Sequence, residues 1–276
     1  MIPHAPWADG PADFSIGLKP IDPAAWFEGG EPAAATLARK TALLHAAPAL
    51  VWAETPGSEP GQAEALALVE AWAGRTAPSG GAALWRAGLL VADDLCLMEP
   101  RDAGWTLTAL ALCAGSLFTA SEVIGRPLAA LHGPVPGFAE RLLARVERIF
   151  DRLPAETVLA RRNWSVLASD ALHLPHAAPV RALAAGATPD QLHVRVERQT
   201  LRRLPTTGGL LFSIRVWVRP LAALDAVETA SLERAWLGAS EAFRSYKGLH
   251  ALDPAMHAWF ARQGRVDPAV PAWREI

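Results

Sequence analysis

The sequence predicts an α+β fold, an antiparallel sheet with helices inserted after its second strand and helical segments on either side. Three observations carry this. Two short apolar runs, 95–98 and 105–112, are joined by the turn residues Pro100 to Gly104 and form a hairpin. Two longer alternating runs, 192–204 and 210–218, flank Pro205-Thr206-Thr207-Gly208-Gly209, a loop suited to a second hairpin. Between the hairpins, Phe138, Leu142, Val146, Ile149, Phe150 and Leu153 recur at helical spacing while Glu140, Arg141, Arg145, Glu147 and Arg148 fall elsewhere, which predicts an amphipathic helix ended by Pro154.

The elements follow in order. Up to about Leu90 the chain is Ala-rich and broken by Pro and Gly. It reads as a strand over 14–18 and helices near 32–45, 61–74 and 81–90, with breaks at Pro32 and through Thr55 to Pro60. From Asp94 the texture turns to strands. Thr119 and Glu122 then form a capping-box signature, and Gly125-Arg126-Pro127 breaks the helix that it opens. A strand over 158–166 precedes the second hairpin, and Leu232, Trp236 and Phe243 mark helices that pack on the sheet, followed by one opened at Asp253-Pro254. Two strands, several short helices and three strands make a PAS-like order. The expected organisation is a mostly helical extension over 1–90, a PAS-like core over 91–224 and a helical tail over 225–276, together one structural unit.

At 51% hydrophobic and 20% charged, with a mean hydropathy of +0.15, the chain has ample material for a core. A formal charge of −2 and a pI near 6.5 give no global reason to expect nucleic acid or an anionic membrane as partner. No segment reads as a signal peptide or membrane span, so a cytoplasmic setting is expected. Cys96 and Cys113 lie inside apolar runs without CxxC spacing and read as reduced core thiols. No GxSxG elbow, HExxH helix, Walker loop or dinucleotide fingerprint is present.

Three places carry candidate chemistry. His132 follows an apolar turn and precedes Gly133-Pro134-Val135-Pro136-Gly137, whose prolines restrict the backbone and would hold an imidazole in one orientation. Such a residue is either a metal ligand or a helix-end histidine satisfied by backbone. Alternation along 192–204 places Val194, Val196, Arg198, Thr200 and Arg202 on one face and His193, Arg195, Glu197, Gln199 and Arg203 on the other. Arg198 and Arg202 thus share an apolar face, where a guanidinium needs an anionic or strongly polar partner: a ligand, or carboxylates of the chain itself. Asn163, in Arg161-Arg162-Asn163-Trp164, either faces a pocket or stabilises a bulge. His173 and His176 are a second choice for metal ligation. The sole tyrosine, Tyr246, caps the pocket or anchors the tail.

Taken together, DLCL from Asp94, HGPVPGF from His132, RRNW from Arg161, RVERQTLRRLP from Arg195, LLFSIRVWV from Leu210 and YKGL from Tyr246 resemble the alpha subunit of haem-dependent oxidative N-demethylase. Phe14 to Pro20 and Trp26 extend the resemblance over nearly the whole chain. It implies a PAS fold that binds haem b, with His132 as the axial ligand. It also implies Arg198 and Glu197 as catalytic residues, and Arg202 and Asn163 as cofactor-binding ones. The implied reaction is oxygen-dependent demethylation of a small secondary amine such as dimethylamine, releasing formaldehyde and a primary amine. The implied cavity beside haem is crowded by Val194, Val196, Phe212, Ile214 and Val216. FMN, a 2Fe-2S cluster and NADPH are then expected on a partner reductase subunit, and tetrahydrofolate on another. A haem PAS-type gas or redox sensor without turnover is the alternative.

Overall fold

The computed structural model describes residues 5–10, 13–28 and 32–263. Its strands are β1 (Lys19–Ile21), β2 (Trp52–Glu54), β3 (Asp94–Arg101), β4 (Gly104–Ala111), β5 (Val158–Leu167), β6 (His193–Arg203) and β7 (Leu210–Pro220). They form one antiparallel sheet in the order β1-β5-β6-β7-β3-β4-β2. Helices α1 (Ala34–Ala46), α2 (Pro48–Val51), α3 (Glu59–Ala73) and α4 (Ala83–Gly88) precede β3. Between β4 and β5 come α5 (Ala120–Val123), α6 (Leu128–Leu131), a π-helical turn (Phe138–Leu142) and α7 (Leu143–Arg152). α8 (Ala177–Ala185) links β5 to β6, and α9 (Ala226–Leu237), α10 (Glu241–Lys247) and α11 (Asp253–Arg262) follow β7. The α+β class and both hairpins are as expected. No helix among the described residues is long and apolar enough to cross a membrane.

The N-terminal segment does more than pack helices on the sheet, because it supplies both edge strands. β1 pairs with β5 from Lys19↔Ala160 to Ile21↔Val158, and β2 pairs with β4. The strand expected over 14–18 therefore falls later, where the open backbone of β5 offers partners, and Pro20 sits on an edge strand where a missing N–H does least harm. β2 and α8 have no counterpart in the sequence reading. β1 covers only the first three residues of β5; beyond it, α10 lies along the edge, with the Phe243 ring 6.0 Å from that of Trp164.

Side-chain alternation gives the sheet two unlike faces. One, the covered face, carries Val158, Trp164, Val166, Val194, Val196, Leu204, Leu211, Leu95 and Leu97. The C-terminal helices pack at one end of it through Leu232, Trp236, Met256 and Trp259, and α3, α4 and Trp26 at the other. The second, the open face, carries Cys96, Met98, Leu107, Leu201 and Leu210 and packs against α5 to α7. Cys96 and Cys113 are free and buried, and burial pushes the Cys113 thiol up to about 12.

A polar cluster sits where β3 begins, with Asp93 and Asp94 turned to opposite faces of the sheet. The Lys40 ammonium donates to the carbonyls of Gly88, Val91 and Asp93 at 2.8, 3.0 and 2.7 Å. Asp94 accepts the backbone N–H groups of Cys113 and Ala114, and Asp93 accepts the Ser213 hydroxyl at 3.1 Å. Burial pushes the Asp93 carboxyl up to about 6, against the attraction of Arg215 and Lys40. An acid whose folded pKa exceeds its unfolded value of 3.8 keeps its proton longer in the native state, so stability is lost as pH rises from about 4 to about 6. Across that window the stability difference between Asp93→Asn and wild type is expected to grow in favour of the variant, by up to about 3 kcal/mol. Denaturant unfolding at pH 4 and pH 7 checks this, and a pH-independent difference contradicts it.

Candidate functional site

On the open face, β5 and β6 bring a row of polar side chains together. Register pairs Asn163 with Glu197 and Arg161 with Gln199. The Glu197 carboxylate accepts from Gln199 at 3.1 Å, Asn163 at 3.4 Å and Arg195 at 3.5 Å, so three donors fix its orientation. Arg195 is itself held by the carbonyls of Leu172 and Ala114. From α10, the Lys247 ammonium donates to Asn163 Oδ1 at 3.1 Å, which turns the amide so that its Nδ2 faces Glu197. Burial pulls the Lys247 ammonium down to about 8, with Glu197 opposing and Arg161 and Arg195 reinforcing the shift. Tyr246 is 41% exposed at the margin, its ring 5.4 Å from that of Phe14.

Arg161 differs from its neighbours. Its Nε is enclosed without a hydrogen-bond partner, and its guanidinium makes no ion pair among the described residues. Burial lowers its pKa from the ordinary guanidinium value, while Glu197 and Tyr246 oppose the shift. Desolvating a guanidinium without matching donors to acceptors is unfavourable. The guanidinium is thus available to an acceptor from outside the chain.

His132 lies at the end of α6, on the helical side of the same layer. The segment after it turns back: Val135 N–H donates to the His132 carbonyl and Phe138 N–H to that of Val135. Gly137 makes this possible, since its φ is +67° and a Cβ there would meet the Arg141 guanidinium at 2.5 Å. The turn stacks the imidazole on the Phe138 ring, with centroids 4.4 Å apart and planes inclined by 13°. His132 Nδ1 lies 3.1 Å from the Leu128 carbonyl, which only accepts, so Nδ1 carries the proton. Burial lowers the imidazole pKa, the Leu128 carbonyl opposes this, and Arg161 adds to it. His132 is therefore a neutral imidazole with the Nε2 lone pair free: Nε2 makes no hydrogen bond among the described residues and is not enclosed.

The floor between these groups is apolar and incompletely covered. Leu131, Leu143, Val146, Leu159, Phe212 and Ile214 are only partly buried although they lie between helices and sheet, whereas Leu211 and Ser213 on the covered face of the same strand are fully buried. A cavity of about 360 Å³ lined by Ile16, Gly17, Leu18, Arg145, Arg148 and Ile149 borders this cluster through Leu18 and Ile149, and His132, Glu197, Phe212 and Ile214 are not among its lining residues. A neutral imidazole, a half-open apolar floor and cationic side chains at its margin fit a flat apolar group with anionic substituents.

Of the residues singled out from sequence, His132, Glu197 and Asn163 belong to this layer. Arg198 and Arg202 do not. They stand across the sheet, where Arg198 donates to the carbonyls of Trp26 and Ala25 at 2.9 and 2.6 Å and pairs with Glu28 at 3.1 Å. The Arg202 guanidinium lies 4.4 Å over the Trp26 ring. Arg198 thus finds its partners within the chain, whereas Arg202 has the Trp26 ring and its Nε is enclosed without a hydrogen-bond partner among the described residues. Val194 and Val196 likewise pack against the C-terminal helices rather than beside Phe212 and Ile214. His173 has both ring nitrogens enclosed without partners, which leaves no approach to a ligand such as His132 Nε2 has. Sequence reasoning passed over Arg161 and Lys247; two-residue alternation from Asn163 was the available signal for Arg161.

The model of the haem-dependent oxidative N-demethylase alpha-subunit-like family matches residues 72–257. The chain belongs to that family. The match covers His132 and α7, the polar rows of β5 and β6, and α10, but not β1, β2 or the cavity-lining residues 16–18. No curated protein matches the chain. Membership of the N-demethylase alpha-subunit-like family points to haem dependence, and the imidazole of His132 with a free Nε2 beside partly buried apolar side chains is chemically of a kind that holds haem iron. Arg198, by contrast, ties residues 25–28 to the sheet. Arg198→Leu leaves the carbonyls of Ala25 and Trp26 without their donor and Glu28 with Arg162 alone, and is expected to cost about 3 kcal/mol. Denaturant unfolding measures it; a loss below about 1 kcal/mol contradicts the anchoring role.

Proposed function

We propose that this chain is the haem b-bearing, PAS-like subunit of an oxidative N-demethylase, with His132 Nε2 as axial ligand and a small N-methyl amine as substrate. The observation that carries the proposal is the state of His132: neutral, with Nδ1 bonded to backbone and Nε2 free beside a half-open apolar floor. A backbone acceptor on the distal ring nitrogen fixes the tautomer and aims the other nitrogen, as ligating histidines require. Arg145 and Arg148, at the mouth of the cavity, would hold the propionates.

Haem bound there would supply the one-electron and oxygen chemistry that no side chain of this protein provides. The chain's own residues bind, orient and shield. Glu197, held by Asn163, Gln199 and Arg195, presents a carboxylate to an amine N–H and can take up the proton that an ammonium must release before its nitrogen is oxidised. Phe212 and Ile214 leave the methyl groups in apolar surroundings. For each methyl removed, oxygen, two electrons and two protons yield formaldehyde, the demethylated amine and water. In this reading the electrons come from NADPH through a partner reductase carrying FMN and a 2Fe-2S cluster. A tetrahydrofolate-binding subunit receives the one-carbon unit, and the assembly works in the cytoplasm.

Protein produced with adequate haem is expected to show a Soret band. His132→Ala is expected to lose at least tenfold in haem affinity, while His173→Ala and His176→Ala retain wild-type haem content. Absorption spectra and haem stoichiometry check this; a wild-type spectrum in His132→Ala removes the ligand assignment.

A further inference from the structure

The open face holds more positive charge than its own groups balance. Around the Glu197 carboxylate stand Arg161, Arg195 and Lys247. Arg195 is satisfied by two backbone carbonyls and Lys247 by Asn163 Oδ1. Of these three cations, Arg161 is the one with an enclosed nitrogen and no hydrogen-bond or ion-pair partner among the described residues. A site shaped for a simple ammonium substrate would invert this balance, because cationic ligands are drawn to carboxylates and repelled by desolvated guanidinium groups. Arg161 is half-buried and lies two residues before Glu197's partner Asn163, on the same strand face.

We infer that Arg161 receives the carboxylate of the substrate, which is therefore a zwitterionic N-methyl amino acid rather than a simple alkylamine. Its carboxylate pairs with the Arg161 guanidinium, with the Lys247 ammonium adding attraction, and its ammonium faces Glu197. Opposite charges at the two ends orient the molecule, leaving the N-methyl group toward the apolar side chains of Phe212 and Ile214. The inference narrows the substrate class of the proposed demethylase and rests on that reading for the reaction, but the carboxylate site stands on Arg161 itself. The same chemistry has a second source in a haem propionate, and the two are separable by experiment.

Calorimetric titration of the haem-free and haem-loaded chain with sarcosine, acetate and dimethylamine reads the site directly. Sarcosine is expected to bind at least tenfold more tightly than dimethylamine. Arg161→Gln and Arg161→Met are expected to weaken sarcosine at least tenfold while leaving dimethylamine unchanged, with partial recovery in Arg161→Lys. Circular dichroism and thermal unfolding confirm that the variants fold. Since Arg161 makes no hydrogen bond or ion pair among the described residues, neither property is expected to suffer. In a parallel arm the variants are loaded with haem or with its dimethyl ester. If Arg161→Gln weakens haem at least tenfold but not the ester, with sarcosine binding unchanged, the carboxylate is a propionate and the substrate assignment is overturned. Tighter binding of dimethylamine than sarcosine, or equal sarcosine affinity in wild type and both neutral variants, overturns it as well. Failure of haem binding alone, with sarcosine still bound through Arg161 by the haem-free chain, would sink the haem reading and leave this site standing.

Discussion

Two-residue alternation along β5, β6 and β7 is the constraint on which the molecule depends. Over unbroken registers from Val158↔Arg202 to Leu167↔His193 and from His193↔Pro220 to Arg203↔Leu210, each side chain is committed to one face. A one-residue slip would carry Arg198 into the open layer and Glu197 against Trp26. The edge strands, the Glu64 carboxylate that accepts three hydrogen bonds from Thr206 and Thr207, and the Leu204–Gly209 hairpin turn all hold that register.

Charge is treated differently on the two sides. On the covered face Arg198 and Arg162 share Glu28, Lys40 is ringed by carbonyls, and Arg202 lies on Trp26. These bonds close the face and join the first 28 residues to strands far along the chain. On the open face the pattern is incomplete among the described residues: His132 keeps a free nitrogen, Arg161 has no acceptor, and apolar side chains stay half-covered. Open apolar surface costs stability where it stands, so half-covered apolar side chains beside a free imidazole nitrogen and an unpaired guanidinium are physical grounds for a ligand in that layer. Buried polar atoms without partners also occur on the covered face, at Trp26, Glu28, Asp93, Arg162 and Arg202.

Much of this was legible in the sequence. The periodicity of β6 separates Arg198 from Glu197 without any coordinates, and the Gly and Pro run after His132 foretells a constrained turn. The identity of a buried arginine's partner was not legible, because Trp26 and Ala25 lie more than 170 residues from Arg198 and nothing local to β6 marks Glu28. Physics required a partner; topology chose which. β2 and α8 escaped notice because three residues cannot display a period and an Ala/Pro-rich run displays no apolar stripe. Arg161 was hidden beside Arg162, which has Glu28, although alternation alone sends the two to opposite faces.

The central claim is that haem is held on the open face by His132. Locating iron in crystals of the haem-loaded protein, by anomalous scattering at the iron edge, tests it most directly. The account predicts one iron peak at coordination distance from His132 Nε2, between the helices after β4 and the side chains of Phe212 and Ile214. An iron bonded to His173 or His176, or lying across the sheet beside Arg198, would contradict it.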